Sequence, residues 1–229
     1  MAPSEIRANL ERVRSAIAQA CQRAGRSSSD VLLIAVSKTV EAARIQEAVD
    51  AGVSALGENR VQEARDKIDA LGRPVPWHLI GSLQMNKAKD AVRLFDWIHS
   101  VDRLELANEL DRRARALGRT VDTLIEVNVG EEAQKAGVRP AEVKRLLDAM
   151  AGLGAIRIRG LMAIPPIVED AEQSRPHFRR LRELREAVGV EHLSMGMSAD
   201  FEVAVEEGAT MVRVGTAIFG PRSAGGAAR

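Results

Sequence analysis

Lys38 follows the apolar run Val31-Leu32-Leu33-Ile34-Ala35-Val36 with only Ser37 between, so its ammonium either reaches solvent or sits at the mouth of a strand-built core. Most lysines are solvated, and this position alone does not exclude that. The chemical alternative is a Schiff-base lysine, whose partial desolvation lowers its pKa until the neutral amine can attack an aldehyde or ketone. Far along the chain stand Ser194-Met195-Gly196-Met197-Ser198-Ala199-Asp200 and Arg213-Val214-Gly215-Thr216-Ala217-Ile218-Phe219-Gly220. In each, glycine permits close backbone approach, and Ser198 is placed to cap a following helix. Turn glycines and a cap explain either segment singly, but the two together form a phosphate site if they are the last two strand-to-helix loops of a barrel. A carbonyl-trapping lysine and a phosphate cradle at opposite sides of one barrel mouth suit pyridoxal 5′-phosphate, and they suit a phosphosugar aldolase equally.

The elements that must position these residues are legible as a rhythm. Strand-like runs fall at Val31–Ser37, Val53–Leu56, Trp77–Ile80, Trp97–Ser100, Thr123–Val129, Ile158–Ile164, His192–Met197 and Met211–Val214. Helical patterns lie between them at Glu41–Ala51, Asn59–Leu71, Asn86–Phe95, Leu104–Leu117, Ala141–Leu153, Glu169–Val188 and Asp200–Glu207, several ended by glycine. Ahead of the first strand, Ile6, Leu10, Val13, Ile17 and Cys21 form the stripe of an amphipathic helix over about Ser4 to Arg23, with Cys21 on its buried side. Eight strands alternating with helices predict an α/β fold, a single (β/α)8 TIM barrel with an additional N-terminal helix over its N-terminal face or flank. An open doubly wound sheet is disfavoured because no Gly-x-Gly-x-x-Gly loop follows the first strand. Residues 1–222 are expected to form one domain and Ser223–Arg229 a disordered tail.

In such a barrel, residues at the C-terminal ends of the strands face the active site. That set contains Ser37 and Lys38, Glu58 and Asn59, His78, Ser82, Gln84, Asn128, Met162, Ser194, Ser198, Arg213, Gly215 and Thr216. His99, His177 and His192 do not converge on Lys38 by position and are expected at the surface or one layer behind a site. Trp77 and Trp97 open strands and are expected in the core.

Composition narrows the function classes. The 229 residues carry 33 Lys plus Arg against 32 Asp plus Glu, a net charge of +1 that gives no field to gather nucleic acid. One cysteine excludes an internal disulfide framework, and four scattered histidines offer no metal-ligand spacing. Neither a signal-peptide core nor a membrane span is visible, so a cytoplasmic protein without a membrane partner is expected. The Arg-rich stretches Arg112-Arg113-Ala114-Arg115 and Arg179-Arg180-Leu181-Arg182 lie beside acids and are expected as solvated helix faces. No self-complementary apolar patch is evident, so a monomer is the default, with a dimer left open.

Six motifs in order carry a resemblance. Ala-Val-Ser-Lys at 35–38, Gly-Glu-Asn at 57–59, Trp-His-Leu-Ile-Gly-Ser-Leu-Gln-Met-Asn-Lys at 77–87, Gly-Leu-Met at 160–162, Leu-Ser-Met-Gly-Met-Ser at 193–198 and Val-Arg-Val-Gly-Thr-Ala-Ile-Phe-Gly at 212–220 resemble the pyridoxal phosphate homeostasis protein family over nearly the whole chain. The resemblance implies a barrel like the N-terminal domain of alanine racemase, with Lys38 holding pyridoxal 5′-phosphate as an internal aldimine. It implies that Ser198 and the backbone N–H groups of Gly215 and Thr216 hold the phosphate, that Arg213 faces the pyridine nitrogen, and that Asn59, His78 and Met197 line the pocket. Glu41 and Arg60 stand where the family frequently has a proline and an aromatic residue.

A guanidinium at the ring nitrogen stays charged and cannot hand over a proton, which weakens the electron sink. A racemase also needs an acid or base on each face of the substrate carbon. Lys38 supplies one, but the sequence has no tyrosine to supply the second as alanine racemase does, and eight βα units leave no room for that enzyme's second domain. The expected function is therefore to bind, buffer and hand over pyridoxal 5′-phosphate within the cell, with PLP-dependent apo-enzymes as acceptors and without robust turnover. A slow racemase and a Schiff-base phosphosugar aldolase are the alternatives, with a purely structural role third.

Overall fold

Ser4 accepts the Arg7 N–H and starts helix α1 (Glu5–Arg23), with Glu5 in its first turn and Arg23 in its last, each charge favourable to the helix dipole. Its stripe Ile6, Leu10, Val13, Ile17 and Cys21 is buried as the spacing predicts. Burial also pushes the Cys21 thiol above its ordinary pKa, as expected of a core thiol.

The computed structural model describes residues 4–221. The tail expected at Ser223–Arg229 lies outside the described residues. Eight parallel strands follow α1: β1 (Leu32–Val36), β2 (Leu56–Glu58), β3 (Trp77–Leu79), β4 (Trp97–Val101), β5 (Val121–Glu126), β6 (Ile156–Met162), β7 (His192–Met197) and β8 (Met211–Val214). They pair in sequence order and close, β8 returning to β1. The predicted (β/α)8 barrel is therefore the observed fold. The helices between strands are α2 (Ala42–Asp50), α3 (Val61–Leu71), α4 (Ala88–Leu94), α5 (Leu104–Ala116), α6 (Val143–Met150), α7 (Arg175–Val188) and α8 (Phe201–Glu206). A short α9 (Thr216–Phe219) follows β8.

Boundaries differ from expectation where pairing, not apolarity, sets the strand. The second strand covers Leu56–Glu58 and not Val53–Leu56, because its ladder to β1 begins at Leu56 opposite Ala35. Gly57 and Glu58 belong to it although neither is apolar, since parallel pairing asks only for backbone. The helix expected from Glu169 begins at Arg175, after a separate short turn over Ala171–Ser174 and with Pro176 in its first turn.

Two clusters fill the molecule. The larger packs the outward faces of the strands against the helices, while Ile34, Ala55, Leu124, Met162 and Met211 meet across the barrel interior. α1 takes the flank, packing against α8, α9 and α2. There Asn9 Nδ2 donates to Ile218 O at 2.9 Å, tying α1 to the short helix behind the last strand. The first Arg-rich stretch behaves as a solvated face, with Arg112 and Arg113 on Glu109, whereas the second ties α7 to its neighbours, Arg179 and Arg182 meeting the buried Glu207 and Arg180 donating to Val129 O.

Leu10 is 1% exposed in the seam between α1 and the barrel. Leu10→Ala should lower unfolding free energy by about 2–5 kcal/mol, read from the urea midpoint, because a docked α1 cannot collapse into the space left.

Candidate functional site

β1 delivers Lys38 two residues beyond its last paired position, and β8 delivers Gly215 and Thr216 immediately beyond its own. These two strands are neighbours in fixed register, Ile34 opposite Arg213 and Ala35 opposite Val214. The lysine and the glycine-containing turn therefore open side by side on the C-terminal face. Between them lies a cleft of about 290 Å3 lined by Lys38, Asn59, Met197, Ser198, Arg213, Gly215 and Thr216, with Val36, Val40, Ile80, Ile164, Ala199, Phe219 and Gly220 as its further walls. That volume suits a small ligand. The apolar walls and Gly220 were not anticipated from sequence, since nothing distinguishes a cleft valine from a core one.

Ser198 does not cap α8 as expected. Asp200 occupies the N-cap position, its carboxylate accepting the Met197 N–H at 2.7 Å and the Ser174 hydroxyl at 3.3 Å. Ser198 is thereby left to face the other loop, where its Oγ accepts the N–H groups of Gly215 and Ala217 at 3.3 and 3.4 Å. These bonds gather the Ser198 hydroxyl and the amides of the turn after β8 at one end of the cleft, a grouping of donors that suits an anion with several oxygens. A side chain at Gly215 would press on Val36, its Cβ 3.3 Å from both Val36 Cβ and O, so close backbone approach is required there.

Arg213 forms the floor. It is 3% exposed, its Nη1 donating to Ser194 Oγ at 2.6 Å and its Nη2 to Ala163 O at 3.0 Å. Burial lowers its pKa to about 10, with Asp200 and Glu126 opposing the shift, so it stays charged at neutral pH. Ser194 Oγ in turn meets His99 Nδ1 at 3.0 Å, and His99 Nε2 meets His78 Nδ1 at 2.9 Å. Both rings are held neutral by desolvation, His78 down to about 3 and His99 well below its usual value. A neutral imidazole has one donor and one acceptor, so the chain is satisfied with Ser194 donating to His99 and His99 to His78. In that sense every dipole turns its negative end toward Arg213.

His78 does not line the cleft, as the resemblance implied. Its ring lies in the barrel interior, stacked on Trp97 with centroids 5.6 Å apart, and reaches the cleft floor only through His99 and Ser194. His99 is fully buried, one layer behind the site; only its side chain's reach across the barrel, invisible in sequence, brings it there. Trp77 is fully buried as expected, and Trp97 packs with the interior cluster. His192 is half-buried against Trp97.

The other strand-end residues serve the scaffold. Ser82 and Gln84 are exposed outside the cleft, and Met162 is interior core. Asn128 braces its own loop through Glu132 N and O. Ser37 and Glu58 are buried together, Ser37 Oγ donating to Glu58 Oε1 at 2.7 Å, and Lys67 of α3 joins them. Sequence reasoning did not single out Lys67, nor Glu126 at the end of β5.

Comparison with known proteins places the site in context. The family model "Alanine racemase, N-terminal domain" matches residues 5–223. The chain is 48% identical over 220 residues to the pyridoxal phosphate homeostasis protein of Aquifex aeolicus, covering 93% of this chain and 96% of that one. It is 44% identical over 225 residues to the protein of the same name from Pseudomonas aeruginosa, covering 97% and 98%. Among solved structures, PipY of Synechococcus elongatus with PLP bound superposes with a TM-score of 0.82 at 42% identity, over 94% of this chain and 100% of that one.

Glu126 is 7% exposed, and burial, reinforced by Asp102 and opposed by Arg213, raises its pKa from 4.5 to about 7. A raised carboxyl holds its proton more tightly folded than unfolded, so its contribution to stability is present below the ordinary value and is lost as pH rises to about 7. Unfolding free energy measured against pH for wild type and Glu126→Gln should show the variant gaining on wild type across that window, with no further gain above it. Parallel curves would contradict the assignment.

Proposed function

Since the chain belongs to the pyridoxal phosphate homeostasis protein family, within the alanine racemase N-terminal domain fold, we propose that it binds pyridoxal 5′-phosphate at Lys38 and carries or buffers it without robust turnover. The observation that carries this is the convergence of an amine, an anion cradle and a buried guanidinium on one cleft.

The residues fit the group. When bound, pyridoxal phosphate supplies an aldehyde that condenses with an amine and a ring that withdraws electrons. Lys38 is the half-buried amine at the cleft wall. Ser198 with the N–H groups of Gly215 and Thr216 would take the phosphate, in a cradle where a Cβ at Gly215 is crowded by Val36. Arg213, held by Ser194 and Ala163, would donate a hydrogen bond to the ring nitrogen and withhold a proton from it, because it has no acceptor lone pair and keeps its charge. Asn59 and Met197 close the sides, and His78 acts through the chain behind Arg213.

Carriage in preference to turnover is supported by the lining. Among the described residues, Lys38 and Arg213 are the titratable side chains that line the cleft. Racemisation needs a second acid or base across the substrate carbon, and Asn59, Ser198 and Thr216 cannot serve near neutral pH. The aldolase alternative loses its support because the named relatives carry pyridoxal phosphate in their names or their structure.

In this reading one barrel domain spans residues 1–222, works as a monomer and hands its cargo to PLP-dependent apo-enzymes in the cytoplasm. No helix among the described residues is long and apolar enough to cross a membrane, and no group of three or more His, Cys, Asp or Glu among them is placed to hold a metal ion.

Purified protein should show a visible absorption band that borohydride abolishes, and Lys38→Ala should lack it after incubation with pyridoxal phosphate. A wild-type protein that stays colourless with added pyridoxal phosphate would overturn the assignment.

A further inference from the structure

We propose that Glu63 and Lys67 of α3, with Glu58 of β2, are positioning residues that clamp the backbone on both sides of Lys38. This rests on Lys38 being the cofactor lysine, and goes beyond it by naming what aims the amine.

Two peptide groups flank Lys38. The carbonyl of the preceding one, Ser37 O, accepts from Lys67 Nζ at 2.6 Å. The amide of the following one, Thr39 N–H, donates to Glu63 Oε1 at 2.5 Å. Lys67 Nζ links the two, reaching Glu63 Oε1 at 2.6 Å and Glu58 Oε1 at 2.7 Å, while Ser37 Oγ donates to that same Glu58 oxygen. One ammonium and two carboxylates therefore fix the chain immediately before and after the lysine.

Ordinary stability does not require this arrangement. Glu58 is fully buried, its second oxygen has no partner, and desolvation raises its pKa against the pull of Lys67 and Ser37. Burying an ion pair with an orphaned oxygen is a poor way to hold a loop, since desolvation offsets the attraction. Thr39 has φ +62°, a left-handed conformation that a β-branched residue rarely adopts. Such a conformation persists where surrounding bonds over-determine it, and the Glu63 bond to its amide does so. Lysine has four freely turning side-chain bonds, so a fixed Cα removes the backbone's share of that freedom and sets the point from which the amine reaches the cleft wall.

The test uses the whole protein, stripped of bound cofactor, as wild type, Glu63→Gln and Glu63→Ala. Glutamine keeps an acceptor for the Thr39 amide and alanine does not. Two quantities are read: hydrogen exchange of the Thr39 amide by NMR, and the rate at which added pyridoxal phosphate is captured at Lys38 by borohydride, located by peptide mass spectrometry. Alanine should release the Thr39 amide and slow capture about tenfold or more, as misplacement of a reacting group by about 1 Å does, while glutamine stays near wild type. The double variant Glu58→Gln/Lys67→Met, which removes the buried charges together, should slow capture likewise. Capture at the wild-type rate in Glu63→Ala despite a released amide overturns the clamp and leaves Lys38 as the cofactor lysine. Equal slowing by glutamine and alanine also overturns it, since then only the charge matters. Absence of capture at Lys38 in wild type overturns both the clamp and the assignment beneath it.

Discussion

Closure of the barrel between its first and last strands is the constraint on which the site depends. Lys38 and Gly215 are 177 positions apart, and only the ladder Leu32 to Met211, Leu33 to Val212, Ile34 to Arg213 and Ala35 to Val214 makes them neighbours. Because side chains alternate along a strand, a one-residue slip would turn Arg213 out of the interior and Val214 in. The register is held on the inside by Ile34 and Met211 in the interior cluster, and on the outside by α1 through Asn9 and Ile218. The N-terminal helix, distant from any chemistry, is thus part of what keeps the anion cradle beside the amine.

The second determinant is the charge buried in the floor. A guanidinium removed from water costs several kcal/mol unless its donors are met, and here two are met by Ser194 Oγ and Ala163 O. The bonds through His99 and His78 extend that compensation across the barrel, with neutral rings arranged as dipoles and no counter-charge in direct contact. A carboxylate hydrogen-bonded to Arg213 would offset its charge more cheaply. Instead Asp200 and Glu126 act on it from beyond hydrogen-bond reach, and Glu126 is held partly protonated near neutrality.

Much of this was legible in the sequence and some could not have been. Eight apolar runs alternating with amphipathic helices specified the barrel, because each pattern matches the period of its element. Lys38, Ser198, Arg213, Gly215 and Thr216 stood out because they sit where strands end and loops begin, and the structure gathers them around one cleft. The residues whose places stayed open are those whose partners lie on other elements. His99 could stand at the surface or behind a site until its reach to Ser194 is seen, and Ser198 has the spacing of a helix cap until Asp200 is found in that position. Glu63 and Lys67 are four apart on a helix, which in sequence is the commonest solvated ion pair. Their inward orientation is set by the packing of α3 beside β2, which no local pattern encodes.

A site that holds a reactive aldehyde without consuming it must separate retention from proton transfer, and the lining of this cleft does so. In the proposed reading Lys38, Ser198 and the turn at Gly215 would supply retention, as one reversible covalent partner and one anion cradle. Proton transfer needs groups that titrate near neutral pH within reach of a substrate carbon. Besides Arg213, which stays charged, the interior groups with raised or lowered pKa, Glu126, His78 and His99, do not line the cleft. The remaining wall is apolar or amide and hydroxyl, competent to bind and inert as acid or base at neutral pH. Met197 and Ile164 line the cleft and stand exposed, so the cleft opens to its surroundings at that edge. Retention by a reversible bond, a charged floor that withholds its proton and an open rim are together what the proposed carriage asks of this cleft.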